Sequence, residues 1–471
     1  MSKKLESRRY QSRAQEAFPH WFNSDAPLAT IILPTGTGKT YTAALCLKST
    51  PTAKILWTAH REELIDQAKE ALNNVLPTHS LSIEMADKKA DPKSDIVVGS
   101  VQTISRNRKH FDGFEPDIIV IDEYHHYSED NVQYDGLLKR WPKAKVLGLT
   151  ATPWRFSGEE LPLGKVLIQM DIGTAVDKKY LVPPKAEPLI TGVSLAEVKT
   201  RMGDFATKDL SKAVNVESRN KMIAKRLIEL VRDGKRQGIL FAVDVEHSKA
   251  MHALLKNEVR AAEVYGETPV EERRRLMAQI RNGEIDVLCN NLVATEGFDV
   301  RHLSFIGQAR PTKSLGLYTQ MIGRGLRTCP ENNKTDCIIV DVHDKVKVKQ
   351  SRITFSDMAA AGDLYGDKKR SSNVLKAEVP VEEVSKKLKN FPVMINKNKA
   401  DRWTTDEESF SVSAWSIGVD QWIVTWTSES KEPKIISKRV FVPWTELPSI
   451  MMEIKGREVQ HPTFGNGKVR S

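Results

Sequence analysis

Four cysteines in 471 residues (Cys46, Cys289, Cys329 and Cys337) are too few and too scattered for a disulfide framework. None belongs to a C-x-x-C pair, which argues against a zinc ribbon. No run of about 18 apolar residues occurs, so neither a membrane span nor a signal peptide is expected behind the basic start MSKKLESRRYQSR. Short internal repeats are missing as well, which excludes a solenoid. Acid is in deficit: 61 Asp and Glu face 71 Lys and Arg, a net charge of +10. The excess favours a polyanionic partner without identifying one. What remains is an ordinary globular composition, 40% apolar and 28% charged, long enough for about three domains.

The first 180 residues alternate short apolar runs with helical patterns. Strands are expected at 31–33, 55–57, 96–98, 118–121 and 146–149. Leu64, Ile65, Ala68, Leu72, Val75 and Leu76 recur with a 3.6-residue period, an amphipathic helix between the second and third of these strands. Continuous apolar strands alternating with helices imply a parallel sheet covered on both faces. The pattern weakens over 155–218, of which 181–218 is read as a connecting segment, and restarts with a helix near 221–231. Strands follow at 239–243, 286–289, 305–307 and 338–342.

The fold class is therefore α/β: two tandem parallel-sheet domains, 1–180 and 219–345, followed by a small C-terminal α+β accessory domain. Residues 346–400 read as a Lys-rich linker with helices. Residues 401–471 hold five of the nine tryptophans, with strands around 411–427 and a hairpin at 418–420. Those tryptophans suit either the core of a small β-rich domain or a stacking surface for bases.

Chemistry concentrates after the first strand, in IILPTGTGKT. Pro34, Thr35, Gly36, Thr37, Gly38, Lys39 and Thr40 form a loop whose backbone N–H groups can curl round phosphate oxygens at a helix N-terminus. Lys39 would reach the β- and γ-phosphates of ATP, and the Thr40 hydroxyl would ligate Mg²⁺. Leu33 stands where the general pattern has its first glycine. The strand IIVID ends in Asp122 and Glu123, which brings two carboxylates to the same sheet edge. Asp122 would hold Mg²⁺ through water, and Glu123 would orient or deprotonate the attacking water.

The set LPTGTGKT, DEYH, Thr150-Ala151-Thr152-Pro153 and QMIGRGLR resembles superfamily 2 helicases and translocases in the expected order over residues 8–345. Within that superfamily it looks nearest to the DEAH-like XPB-, UvsW- and RadD-type branch. The resemblance implies two RecA-like domains. It implies an adenine-recognition element at Arg9 and Gln11, and a loop with Thr295, Gly297 and Asp299 that contacts nucleotide and nucleic acid. Gln320, Arg324 and Arg327 would complete the nucleotide site from the second domain. Thr150, Thr152 and His125 would couple hydrolysis to strand binding. Thr58, Arg61, Ser100, Gln102, Thr103, Asp244 and Thr295 would lie on the nucleic-acid track, although a loop Ser or Thr can equally cap a helix.

The implied activity is an ATP-dependent DNA helicase or duplex translocase of repair, recombination or fork remodelling. It would be a monomer on single-stranded, forked or branched DNA in a bacterial or phage-infected cytoplasm. An RNA helicase and a catalytically silent nucleic-acid scaffold are the alternatives, since phosphate contacts do not separate DNA from RNA. A restriction-type translocase subunit is a further option, with no nuclease constellation visible in the last third. The tail GREVQHPTFGNGKVRS resembles the Tudor-like tail of UvrD-type helicases and is read as a hairpin.

Overall fold

The computed structural model describes residues 7–345 apart from 87, 107–108, 128–131, 156–158, 202, 235–236 and 292–299. It also describes residues 353, 355 and 358 and, beyond them, the backbones of strands between 376 and 468. The first half runs α1 (Arg9–Phe22), β1 (Leu28–Ile32), α2 (Lys39–Leu47), β2 (Ile55–Ala59), α3 (Glu62–Val75), β3 (Leu81–Glu84), β4 (Ile96–Ser100), α4 (Val101–Ile104), β5 (Ile118–Ile121), α5 (Val132–Arg140), β6 (Lys145–Thr150), β7 (Lys165–Gln169) and α6 (Ile172–Asp177). Its seven strands are all parallel, in the order β3-β4-β2-β5-β6-β1-β7. Strands β2, β4 and β5 are buried along their whole length, which is why they read as unbroken apolar runs. The predicted helix is α3, with Leu64, Ile65, Ala68, Leu72 and Val75 buried.

The second half opens earlier than its sequence pattern suggests. Residues 184–194, inside the stretch read as a connector, form β8 (Pro184–Ser194). After it come β9 (Thr200–Arg201), β10 (Asp204–Phe205), α7 (Thr207–Val214), α8 (Glu217–Gly234), β11 (Gly238–Phe241), α9 (Val245–Leu255), β12 (Ala261–Val264), α10 (Val270–Arg281), β13 (Val287–Asn290), β14 (Phe305–Gln308), α11 (Leu315–Gly323) and β15 (Cys337–Lys345). With β16 (Lys376–Ala377) they make a second parallel sheet, β12-β13-β11-β14-β15-β8-β16. The physical reason that β8 is not legible is its solvent exposure: nine of its eleven positions are half-buried or exposed, which gives no continuous apolar run. Its Pro184 is a strand's first residue, and Pro188 lies past the short pairing with β16, both places that tolerate a missing N–H.

A buried ion pair locks this half together. Arg219 on α8 is 1% exposed and grips Asp344 of β15 with Nε to Oδ1 and Nη2 to Oδ2, both at 2.8 Å. The same guanidinium donates to the Ala309 carbonyl at 2.9 Å, and Asp344 also accepts from the Thr191 hydroxyl of β8. Nearby His247 is buried; desolvation, with Arg219 adding to it, pushes its pKa down to about 3, so it stays neutral. Arg219→Ala would strand a buried carboxylate and is expected to cost about 3–5 kcal/mol, read as a lower urea midpoint. Arg219→Met with Asp344→Leu should cost less, since both charges then leave together.

After β15 the chain returns to the body. The Phe355 N–H donates to Asp341 Oδ2 at 3.0 Å, and Phe355 and Met358 are buried in the core. Further on, β17 (Asp401–Thr404), β18 (Ser409–Gly418), β19 (Gln421–Glu429) and β20 (Ile436–Pro443) pair antiparallel in sequence order. Gly418 opposes Gln421 across the predicted turn. Trp403, Trp415, Trp422 and Trp426 fall on these strands, and Trp444 lies outside the described residues. The tail forms the hairpin β21 (Glu458–His461) with β22 (Gly465–Lys468). Among the described residues no helix is long and apolar enough to cross a membrane.

Candidate active site

Chain leaving β1 turns into the loop 33–38. Leu33, at the position where a glycine is customary, is buried and its N–H donates to the Thr150 carbonyl at 3.0 Å. The residue therefore continues the sheet and needs no glycine freedom. Gly36 and Gly38 do need it, with φ of +87° and +88° in the left-handed region. A Cβ on Gly36 would also lie 2.7 Å from Arg327 Cγ, so loop and second half are in contact there. Gly323 is pressed likewise, its would-be Cβ 2.8 Å from Thr35 Cβ.

Lys39 and Thr40 open α2, so the helix N-terminus faces the space beyond the loop. That space is a cavity of about 350 Å³. The first half lines it with Thr35, Gly36, Gly38, Lys39, Thr40, Asp122 and Glu123; Arg301, Arg324 and Arg327 come from the second half. Lys39, Asp122, Glu123 and Arg324 are buried, where charge is weakly screened.

A strained turn aims the acids. Glu123 sits at φ +50°, ψ +55°, left-handed for a residue with a side chain, while its N–H donates to Asp122 Oδ1 at 2.9 Å. His125 follows on the same turn. Gln320 Nε2 donates to His125 Nε2 at 3.3 Å, which leaves the ring proton on Nδ1, 3.5 Å from Glu123 Oε2. One imidazole thus links the carboxylate of the first half to the helix that carries Arg324 in the second.

Oxygen donors suited to Mg²⁺ are in place, because the Thr40 hydroxyl and the Asp122 carboxylate line one cavity. Among the described residues no cluster of three or more His, Cys, Asp or Glu could form a metal cage. That sparse set is what a magnesium ion shared with phosphates and water needs.

At the α1 end of the cavity the neighbour of an expected residue lines the wall. Arg9 is exposed and does not line the cavity; Arg8 does, with its guanidinium 5.2 Å over the Tyr180 ring. Gln11 is buried as a brace, taking the Arg8 N–H on Oε1 at 2.8 Å and donating from Nε2 to the Thr42 hydroxyl at 3.3 Å. Tyr10 ties α1 to the phosphate loop by donating to the Thr37 carbonyl. Thr150 ends β6 fully buried and donates to the Thr152 carbonyl at 2.7 Å; Thr152 in turn donates to the Trp154 carbonyl at 3.1 Å.

The expected nucleic-acid residues lie near the carboxyl ends of β2, β4 and β11, with several side chains already engaged. Thr58 is buried and donates to the Val120 carbonyl at 3.0 Å. Ser100 caps α4 by accepting the Thr103 N–H at 3.2 Å, and Asp244 caps α9 by accepting the His247 N–H at 2.8 Å. Gln102 reaches the His60 carbonyl at 3.5 Å, and Arg61 stands half-buried just before α3. Thr295, Gly297 and Asp299 lie outside the described residues. Two ion pairs that no sequence pattern signals join α3 to α10 across the halves: Arg273 to Glu63 at 2.9 Å and Arg274 to Glu62 at 3.2 Å. Partners some 210 residues apart share no local pattern.

Both halves of the chain have counterparts among known proteins. Residues 4–155 match the family described as Type III restriction enzyme, res subunit, and residues 222–329 match the helicase conserved C-terminal domain. IRC3 of Saccharomyces cerevisiae, named a candidate ATP-dependent helicase, is 32% identical over 299 residues, 61% of this chain and 43% of that protein. Its Schizosaccharomyces pombe counterpart, named a candidate mitochondrial ATP-dependent helicase, is 30% identical over 357 residues, 73% of this chain and 58% of that one. The chain thus spans about half the length of these relatives. In fold it is similar to a fragment of a candidate HsdR subunit of a type I restriction enzyme from Vibrio vulnificus YJ016. That match has a TM-score of 0.55 at 20% identity and covers 78% of this chain and 67% of the other.

Proposed function

With both halves of a superfamily 2 helicase motor in one chain, we propose that the protein hydrolyses ATP in a nucleic-acid-dependent cycle to translocate along DNA or separate its strands. The observation that carries this reading is the shared cavity, where Lys39, Asp122 and Glu123 of one half face Arg324 and Arg327 of the other. Lys39 and the loop amides hold the β- and γ-phosphates; Thr40 and Asp122 hold Mg²⁺, which would offset phosphate charge when bound. Glu123 orients the attacking water and accepts its proton. Arg324 and Arg327 meet the charge that develops as the γ-phosphoryl leaves. Because these groups come from two domains, nucleotide favours the closed cleft and its loss favours opening, which turns hydrolysis into movement. His125, Gln320, Thr150 and Thr152 link the cleft to the strand-binding side.

DNA is the proposed track, held by phosphate contacts near the carboxyl ends of β2, β4 and β11. Within the superfamily we place the chain with the XPB-, UvsW- and RadD-type enzymes, acting as a monomer on single-stranded, forked or branched DNA in repair, recombination or fork remodelling. The match of the first half to a restriction-enzyme res subunit supports a DNA-tracking motor. A cytoplasmic site of action belongs to the same reading, although one relative is named as mitochondrial. The test is ATP hydrolysis without nucleic acid and with single-stranded, forked and four-way DNA or structured RNA. DNA is expected to stimulate turnover and Lys39→Ala to abolish it. Stimulation by RNA alone would sink the DNA assignment, and ATPase activity surviving Lys39→Ala would sink the site.

A further inference from the structure

Lys334 lies on the turn between Pro330–Asn332 and β15, outside every motif that the sequence singles out. Among the described residues its ammonium makes two hydrogen bonds, both to backbone carbonyls of the second half. Nζ donates to the Gly325 carbonyl at 2.6 Å and to the Arg301 carbonyl at 3.0 Å. Gly325 is the residue between Arg324 and Leu326, and Arg301, Arg324 and Arg327 all line the nucleotide cavity. One side chain thus fastens the two segments that deliver these arginines. The backbone at 325 has little room to move by itself, since a Cβ there would collide with Cys337 Sγ and approach Ile306 Cγ1 to 2.8 Å. On the opposite side the Val182 N–H donates to the Leu326 carbonyl at 2.8 Å. Gly325 is packed against β14 and β15, Leu326 is tied to 182, and Lys334 adds the tether between Gly325 and Arg301.

We propose that Lys334 is a positioning residue for phosphoryl transfer, whose charged Nζ clamps the Gly325 and Arg301 carbonyls and so holds Arg324, Arg327 and Arg301 against the nucleotide. The inference rests on the reading of Arg324 and Arg327 given above. A charge-assisted donor holds two carbonyls more firmly than a neutral amine does. Burial pulls the Lys334 ammonium down to about 8, and Arg327 adds to that pull; Cys337, Cys329 and Asp336 oppose it. The other groups beside the turn are Glu331, which reaches Cys329, and Arg301. The sign for activity is direct: the clamp is charged below pH 8, loses its proton above it, and kcat falls as pH rises. Stability moves the opposite way. In the unfolded chain the ammonium titrates near the ordinary lysine value of 10.5, so the cost of burying a charge disappears as pH climbs from about 8 to 10.5.

The experiment follows steady-state ATP hydrolysis by the full chain from pH 7 to 10 for wild type, Lys334→Met, Lys334→Gln and Lys334→Arg, with Arg324→Ala alongside. Wild-type kcat is expected to fall through an alkaline limb near pH 8. Lys334→Met and Lys334→Gln should lose about tenfold or more in kcat at pH 7.5, keep the KM for ATP within about twofold and lack that limb. Lys334→Arg, which does not titrate in this range, should recover activity and hold it to pH 9.5. ADP with aluminium fluoride should bind Lys334→Met about tenfold more weakly, and ADP alone as tightly as before. A Lys334→Met or Lys334→Gln enzyme that keeps wild-type kcat, or keeps the limb, overturns the proposal. So does a loss of kcat matched by a falling melting temperature with unchanged preference for the fluoride complex. If instead Arg324→Ala hydrolyses ATP normally, the reading of the site has failed, and the fault lies there.

Discussion

Glu123→Gln is expected to bind ATP as wild type does and to hydrolyse it about a thousandfold more slowly. A positioned general base is worth roughly 10²–10⁴ in rate, and glutamine keeps the shape of the side chain while losing its basicity. The groups assigned to ATP binding, Lys39, Thr40 and Asp122, are untouched. The left-handed turn at 123 belongs to the backbone, so the substitution should not move it. His125 Nδ1 can still face an oxygen at this position, because an amide carbonyl also accepts. With nucleotide retained and turnover blocked, the cleft should stay closed and the protein should leave DNA slowly. Titration with a fluorescent nucleotide, steady-state turnover and dissociation from single-stranded DNA measure the three parts separately. Normal turnover would remove Glu123 from its assigned role.

Legibility in the sequence followed physical locality. The phosphate loop was readable because glycine, lysine and threonine at fixed spacing meet a local backbone need, and Gly36 and Gly38 have the positive φ that explains them. Strand β5 was readable because a buried strand of a parallel sheet is apolar throughout and its two acids stop it. What depended on solvent exposure or on distant partners did not show. The largely unburied β8 has no continuous apolar run and so reads as a connector, and the role of Leu33 rests on its bond to the distant Thr150. A short motif cannot say which of two adjacent arginines turns inward, and here Arg8 lines the cavity while Arg9 is exposed. The His125–Gln320 contact joins residues 195 apart, and no periodicity encodes it. Ser100 and Asp244 show the converse, motif positions whose side chains are spent on capping helices.

Arg324→Ala should lower kcat about a thousandfold and leave the KM for ATP within a few-fold, a loss of about 4 kcal/mol from the transition state. Arg324 follows α11 directly and is 3% exposed; Gln320, one helical turn earlier, holds His125. Its buried charge is thus delivered from the second half into the shared cavity, where it would act most strongly on charge that appears during transfer. On the proposed assignment, ground-state phosphates would already have Lys39 and the loop amides, so binding should be spared. Lysine should not rescue, since a compact ammonium lacks the planar fork that can bridge two phosphoryl oxygens. Arg327 should behave differently. Its Cγ is close enough to Gly36 to clash with an added Cβ, so Arg327→Ala removes packing against the phosphate loop along with charge. A raised KM together with a lowered kcat is therefore expected for Arg327→Ala, and a loss confined to kcat for Arg324→Ala. Equal effects of the two substitutions on KM would mean that both arginines serve binding, and the division of labour drawn from their surroundings would be wrong.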